Sequence, residues 1–76
     1  MRETILFNNL HEIADFVSAA ESCPVDIDIC KADSGKTVVD AKSLMGVIGL
    51  GTGIRLSVLW DGENKGFAGI LEKLAV

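Results

Sequence analysis

With 76 residues the chain has room for one domain, residues 1–76, near the size at which a single core is only marginally stable. Hydrophobic residues make up 49% and charged residues 24%, a globular composition, and no apolar run nears the roughly 20 residues of a membrane span. Seven basic side chains are scattered among eleven acidic ones for a net charge of −4, which excludes the clustered Lys and Arg that nucleic acid demands.

The first element is "ETILF" (3–7), a compact β-branched and apolar run read as a strand, which stops at Asn8-Asn9, residues that favour turns and helix N-caps. From Leu10 the apolar residues recur at Ile13, Ala14, Phe16, Val17 and Ala20, with His11, Glu12, Asp15 and Ser18 on the other face, which predicts a helix ending before Pro24. "VDIDIC" (25–30) alternates strictly and predicts a half-buried strand with Val25, Ile27 and Ile29 inward and Asp26 and Asp28 outward. "KADSGK" supplies the Asp-Ser-Gly of a reversal, and "TVVDA" (37–41) reads as the hairpin partner. Ser43 is an N-cap residue before the short helix "LMGVIGL"; Gly51 and Gly53 punctuate its end. "IRLSVLW" (54–60) alternates as a strand, "DGEN" turns the chain, and "KGFAGILEKLAV" places Phe67, Ile70, Leu71 and Leu74 at helical spacing.

The order β-α-β-β-α-β-α predicts an α+β sandwich: a four-stranded, mainly antiparallel sheet covered by helices on one face and solvated on the other. Met1-Arg2-Glu3-Thr4 lacks the apolar core and cleavage site of a signal peptide, so the expected compartment is the cytoplasm. Cys23 and Cys30 are too few for a disulfide framework, and one histidine with no second cysteine pair gives no zinc spacing; both thiols are expected reduced and buried, with no metal or other cofactor. Trp60, at the end of the fourth strand, is expected to pack against the edge of the core rather than to form a dimer contact.

The segment 40–53, "DAKSLMGVIGLGTG", is the most informative. One face of so short a helix can reach the core; if Val47 and Leu50 point inward, Leu44, Met45 and Ile48 are left wholly or partly outside, an apolar patch of the kind that marks a docking surface. A phosphate on Ser43 would meet unpaired backbone N–H groups and the positive end of the helix dipole. The glycines between these residues would let a partner backbone approach, at a cost to the helix of about 1 kcal/mol each relative to alanine.

"KSLMGVIGLG" (42–51) resembles the regulatory-serine signature of HPr, the small histidine-containing phosphocarrier of the bacterial sugar phosphotransferase system. The preceding "GKTVVDA", the later "GENKGFAGILEKL" and the whole element order fit the same family, so the resemblance covers essentially the full chain. One extra residue lies between Gly35-Lys36 and Lys42-Ser43, expected as a bulge or a longer hairpin arm. The resemblance implies an HPr-like open-faced sandwich, regulatory phosphorylation at Ser43, and partner binding through Lys42, Leu44, Met45 and Ile48. It also implies protein partners: an HPr-type kinase/phosphorylase, a transcription regulator or phosphotransferase components.

The other family signature, a histidine after the first strand followed closely by arginine and proline, is where this sequence departs. The corresponding stretch is "FNNLHEIADFV", with neither arginine nor proline; aligned on Phe16-Val17, the histidine position falls at about Asn9 and His11 lies in the first helical turn beside Glu12. The expectation is a non-catalytic HPr-like regulatory or interaction protein, of the histidine-less kind that the family contains. The alternative slides His11 into the active position and makes the chain a divergent phosphocarrier, with Glu12 repelling the phosphoryl group. A third possibility is a structural module of a larger phosphotransferase polyprotein.

Overall fold

The computed structural model describes residues 1–35, 37–62 and 65–76. The elements are β1 (Arg2–Leu6), α1 (Leu10–Glu21), β2 (Ile27–Lys31), β3 (Val39–Asp40), α2 (Leu44–Leu50), β4 (Arg55–Trp60) and α3 (Lys65–Leu74), in the predicted order. The strands form one sheet in the order β1-β4-β2-β3, with every neighbouring pair antiparallel. The result is an α+β open-faced sandwich.

Alternation along the strands decides which side is covered. Ile5, Ile27, Ile29, Leu56 and Val58 project from the sheet into a core completed by Ile13, Phe16, Val17 and Ala20 of α1, Val47 and Leu50 of α2, and Phe67, Leu71 and Leu74 of α3. Phe16 sits at its centre, with ring centroids 5.3 Å from Phe7 and 5.5 Å from Phe67; Trp60 meets Phe67 edge-on at 5.9 Å. Trp60 thus packs as expected. Each such buried side chain stabilises by roughly 1.5–3 kcal/mol, so a domain this small depends on nearly all of them. Both cysteines are buried and free, with Cys23 Sγ donating to the Ala19 carbonyl at 3.4 Å.

Strand ends differ from the sequence expectation where pairing partners run out. Ile27 pairs with Trp60, so continuing β2 back to Val25 would need a partner at position 62, where Gly62 adopts φ +82° and the chain turns away; β2 therefore starts at Ile27. β1 ends at Leu6 because Phe7 gives its carbonyl to the Gly53 N–H (2.8 Å) in place of a ladder partner. Of the expected 37–41 strand, Val39 and Asp40 pair with β2 and the Ala41 N–H donates to the Ile27 carbonyl at 2.9 Å, while Val38 is exposed. Lys36 of the reversal, and Glu63 and Asn64 of the last turn, lie outside the described residues.

Candidate functional site

α2 starts where a serine cap dictates. Ser43 has extended backbone (φ −96°, ψ 102°) and its Oγ accepts from the Gly46 N–H at 3.4 Å, while its carbonyl accepts from Val47 at 3.0 Å. Just upstream, the Asp40 carboxylate accepts from the Lys42 N–H at 2.9 Å and the Asp40 carbonyl from the Ser43 N–H at 2.9 Å, which fixes the approach to the helix. Ser43 is exposed. The helix divides as its spacing predicts: Val47 and Leu50 are buried, whereas Met45 is 78% exposed, Leu44 44% and Ile48 37%. Three large apolar side chains therefore flank a hydroxyl at a helix start that has no acidic residue in its first turn.

Two residues of this segment behave differently from the sequence expectation. Gly46 is a close approach within the molecule and not an opening for a partner: a Cβ there would stand 2.5 Å from Val39 Cγ1 and 3.2 Å from Ser43 Oγ. Gly49, by contrast, faces open space. Lys42 Nζ donates to the Cys23 carbonyl at 3.0 Å, just beyond the last turn of α1, so its ammonium first serves to tie α1 to the start of α2. Neither feature leaves a mark in the sequence, since both depend on which segments meet across the helix layer.

The start of α1 has its own partners. Asn9 is the N-cap, with its Oδ1 accepting from the Glu12 N–H at 3.0 Å. Glu12 Oε1 in turn accepts from the Asn8 N–H at 2.8 Å and from Asn8 Nδ2 at 3.3 Å, so a carboxylate already occupies the positive end of this helix. This resembles a capping box shifted by one residue. His11 points away from it. Its side chain is 85% exposed and its Nε2 lies 3.5 Å from Asp15 Oδ2, one turn along. His11, Glu12 and Asp15 border a groove against α3 together with Gly69, Ile70 and Lys73.

The structure thus brings Ser43, Leu44, Met45 and Ile48 onto one surface and leaves His11 on another helix. Among the described residues, no group of three or more His, Cys, Asp or Glu side chains is placed to hold a metal ion, and no helix is long and apolar enough to cross a membrane.

A family model described as the phosphorylation site of the PTS HPr component matches residues 9–73. Among solved structures, a phosphocarrier protein HPr from Bacillus anthracis str. Ames aligns with a TM-score of 0.72 at 25% identity, covering 97% of this chain and 95% of that one. HPr-C-His from Thermoanaerobacter tengcongensis aligns with a TM-score of 0.72 at 26% identity, covering 96% and 92%. No curated protein sequence matches. With a family model spanning both helix starts and a fold shared along nearly the whole chain, the protein belongs to the HPr family of the phosphotransferase system.

Proposed function

We propose that this chain is a regulatory and interaction member of the HPr family that works through the α2 face and not as a phosphohistidine carrier. The observation that carries the reading is the occupied N-terminus of α1. A phosphoryl group at that helix start would stand beside the Glu12 carboxylate, which the Asn8 N–H holds there, and no arginine stands within the first turn to offset the repulsion. Ser43 is the proposed modification site. Ser43 is exposed, and a phosphate of about −2 charge on it would turn a neutral apolar patch into an anionic one. Leu44, Met45 and Ile48 form the dock, with Lys42 at its margin. The partners proposed for it are an HPr-type kinase/phosphorylase and a transcription regulator or phosphotransferase component, all proteins of the cytoplasm; nucleic acid and membrane have no place in this reading, and the chain is no enzyme in itself.

The test is incubation with an HPr-type kinase/phosphorylase and ATP, followed by peptide mass spectrometry. One phosphate on Ser43 that is absent from Ser43→Ala supports the reading. A well-folded protein that stays unmodified, with a conventional HPr modified in parallel, contradicts it.

A second reading rests on the exposure of His11 and its contact with Asp15. With Nε2 facing Asp15, Nδ1 is left open for a phosphoryl group. That reading predicts an acid-labile phosphohistidine lost in His11→Ala.

A further inference from the structure

The face of the sheet away from the helices carries three rows of side chains in register. The first runs Arg2, Leu59, Asp28, Asp40 across β1, β4, β2 and β3; the second runs Thr4, Ser57, Cys30; the third joins Leu6 to Arg55. Two properties of these rows stand out physically. Charge is segregated, with the cations on β1 and β4 and the anions on β2 and β3. Asp28 and Asp40 also stand directly opposite each other, a destabilising pair of like charges in adjacent strands. Arg2 cannot relieve them within the molecule, because β4 intervenes, and its Nη2 instead lies 3.5 Å from Ser57 Oγ. The middle row is made of small side chains, with Ser57 2% and Cys30 6% exposed, beside the exposed Leu59.

The geometry points to this open face as a weak self-association surface, on which a second copy of the chain stacks across a two-fold axis parallel to the strands. Such an axis reverses the strand order and keeps the rows aligned, so β1 of each copy lies over β3 of the other. Each Arg2 guanidinium then sits over Asp40 with Asp28 alongside, where one fork can bridge both carboxylates. Ser57 faces Cys30, and the small middle rows let the sheets approach to the spacing of about 10 Å at which sheets stack. Asp26 and Asp61, which border a rim pocket with Asp28 and Leu59, remain at the edge in water, where their repulsion is screened. Four strands, of five, six, five and two residues from β1 across to β3, present a face no larger than about 19 by 20 Å. That is small beside the roughly 800 Å² per partner of a stable complex, which places the association in the weak, transient class. The helix layer stays outermost, so a dimer would display two copies of the α2 face on opposite sides and bind a two-site partner with avidity.

The experiment is sedimentation equilibrium from about 10 μM to about 1 mM, a span chosen to bracket weak binding, with amide chemical shifts recorded over the same series. The expected result is a monomer–dimer equilibrium with concentration-dependent shifts at Ser57, Leu59 and Cys30 and none at Leu44 to Ile48. Arg2→Glu should weaken the dimer at least tenfold, and adding Asp28→Arg should recover part of the loss. Asp28 is chosen over Asp40 because Asp40 also holds the Lys42 N–H. A monomer throughout, shifts confined to α2, a dimer indifferent to Arg2→Glu, or a loss that the second change does not repair would each overturn the proposal. Circular dichroism of every variant separates lost association from lost folding.

Discussion

At the start of α1, Asn9 caps the helix and the Glu12 carboxylate returns to bind the Asn8 N–H, so the protein's own anion stands beside the positive end of that helix. At the start of α2, Ser43 caps the helix through a longer bond to Gly46, no acidic residue follows in the first turn, and the flanking side chains are apolar and exposed. Both are helix N-termini whose first N–H groups have no partner within the helix and whose dipoles point the same way along the chain. The contrast teaches that two helix starts differ less in the helix than in the charge set beside it, and the proposed function rests on that difference. Six variants would break or sharpen that contrast.

The largest effect is expected from rebuilding the family's His-x-Arg-Pro order at α1. The triple variant Asn9→His, His11→Arg, Glu12→Pro removes the blocking carboxylate and supplies a cation, and should go from no phosphorylation by the upstream phosphotransferase enzyme to a stoichiometric product read by intact mass. Next in size is Gly46→Ala. Its Cβ would stand 2.5 Å from Val39 Cγ1, so α2 or β3 must shift, at a cost of about 1–3 kcal/mol. Gly49→Ala, in open space on the same helix, should instead stabilise by up to about 1 kcal/mol through helix propensity. Urea unfolding of the pair checks the sign of each.

Loss of the caps follows. Asn9→Ala should cost about 1 kcal/mol and lower the melting temperature by about 4–8 °C. Ser43→Ala, which gives up a bond of 3.4 Å, should cost about 0.5 kcal/mol, near the lower bound for a cap. If the two losses were reversed in size, Ser43 would be a structural cap first and a modification site second. The smallest effect is Glu12→Gln, which keeps the acceptor and removes the charge from the helix start. It should cost about 0.3 kcal/mol at low salt and less at high salt, as thermal melts at two ionic strengths would report.

Much of this was legible because local rules agreed with the tertiary outcome. Ser43 before "LMGVIGL" defines α2 to the residue, and the split between Val47 and Leu50 inside and Leu44, Met45 and Ile48 outside follows from helical spacing alone. The strand ends were not legible, because Val25 and Phe7 have the right composition and lack only a partner. Gly46 reads as an opening for a partner, and only the approach of Val39 Cγ1 shows that the space is filled from within the molecule. Lys42 reads in sequence as a surface cation next to a serine, and its bond to the Cys23 carbonyl spans 19 residues. At α1 the Asn-Asn pair announces a cap, but that Glu12 closes back on Asn8 depends on a side-chain rotamer no pattern encodes.

The central claim, that α1 offers no phosphoryl site while α2 does, meets its most direct test in one measurement. The protein is incubated with the upstream phosphotransferase enzyme and phosphoenolpyruvate and its intact mass is taken at neutral pH, where a phosphohistidine would survive. The account predicts an unchanged mass, with a conventional HPr in the same reaction gaining one phosphoryl group. A stoichiometric gain of one phosphoryl group that disappears in His11→Ala would contradict it and establish the chain as a carrier.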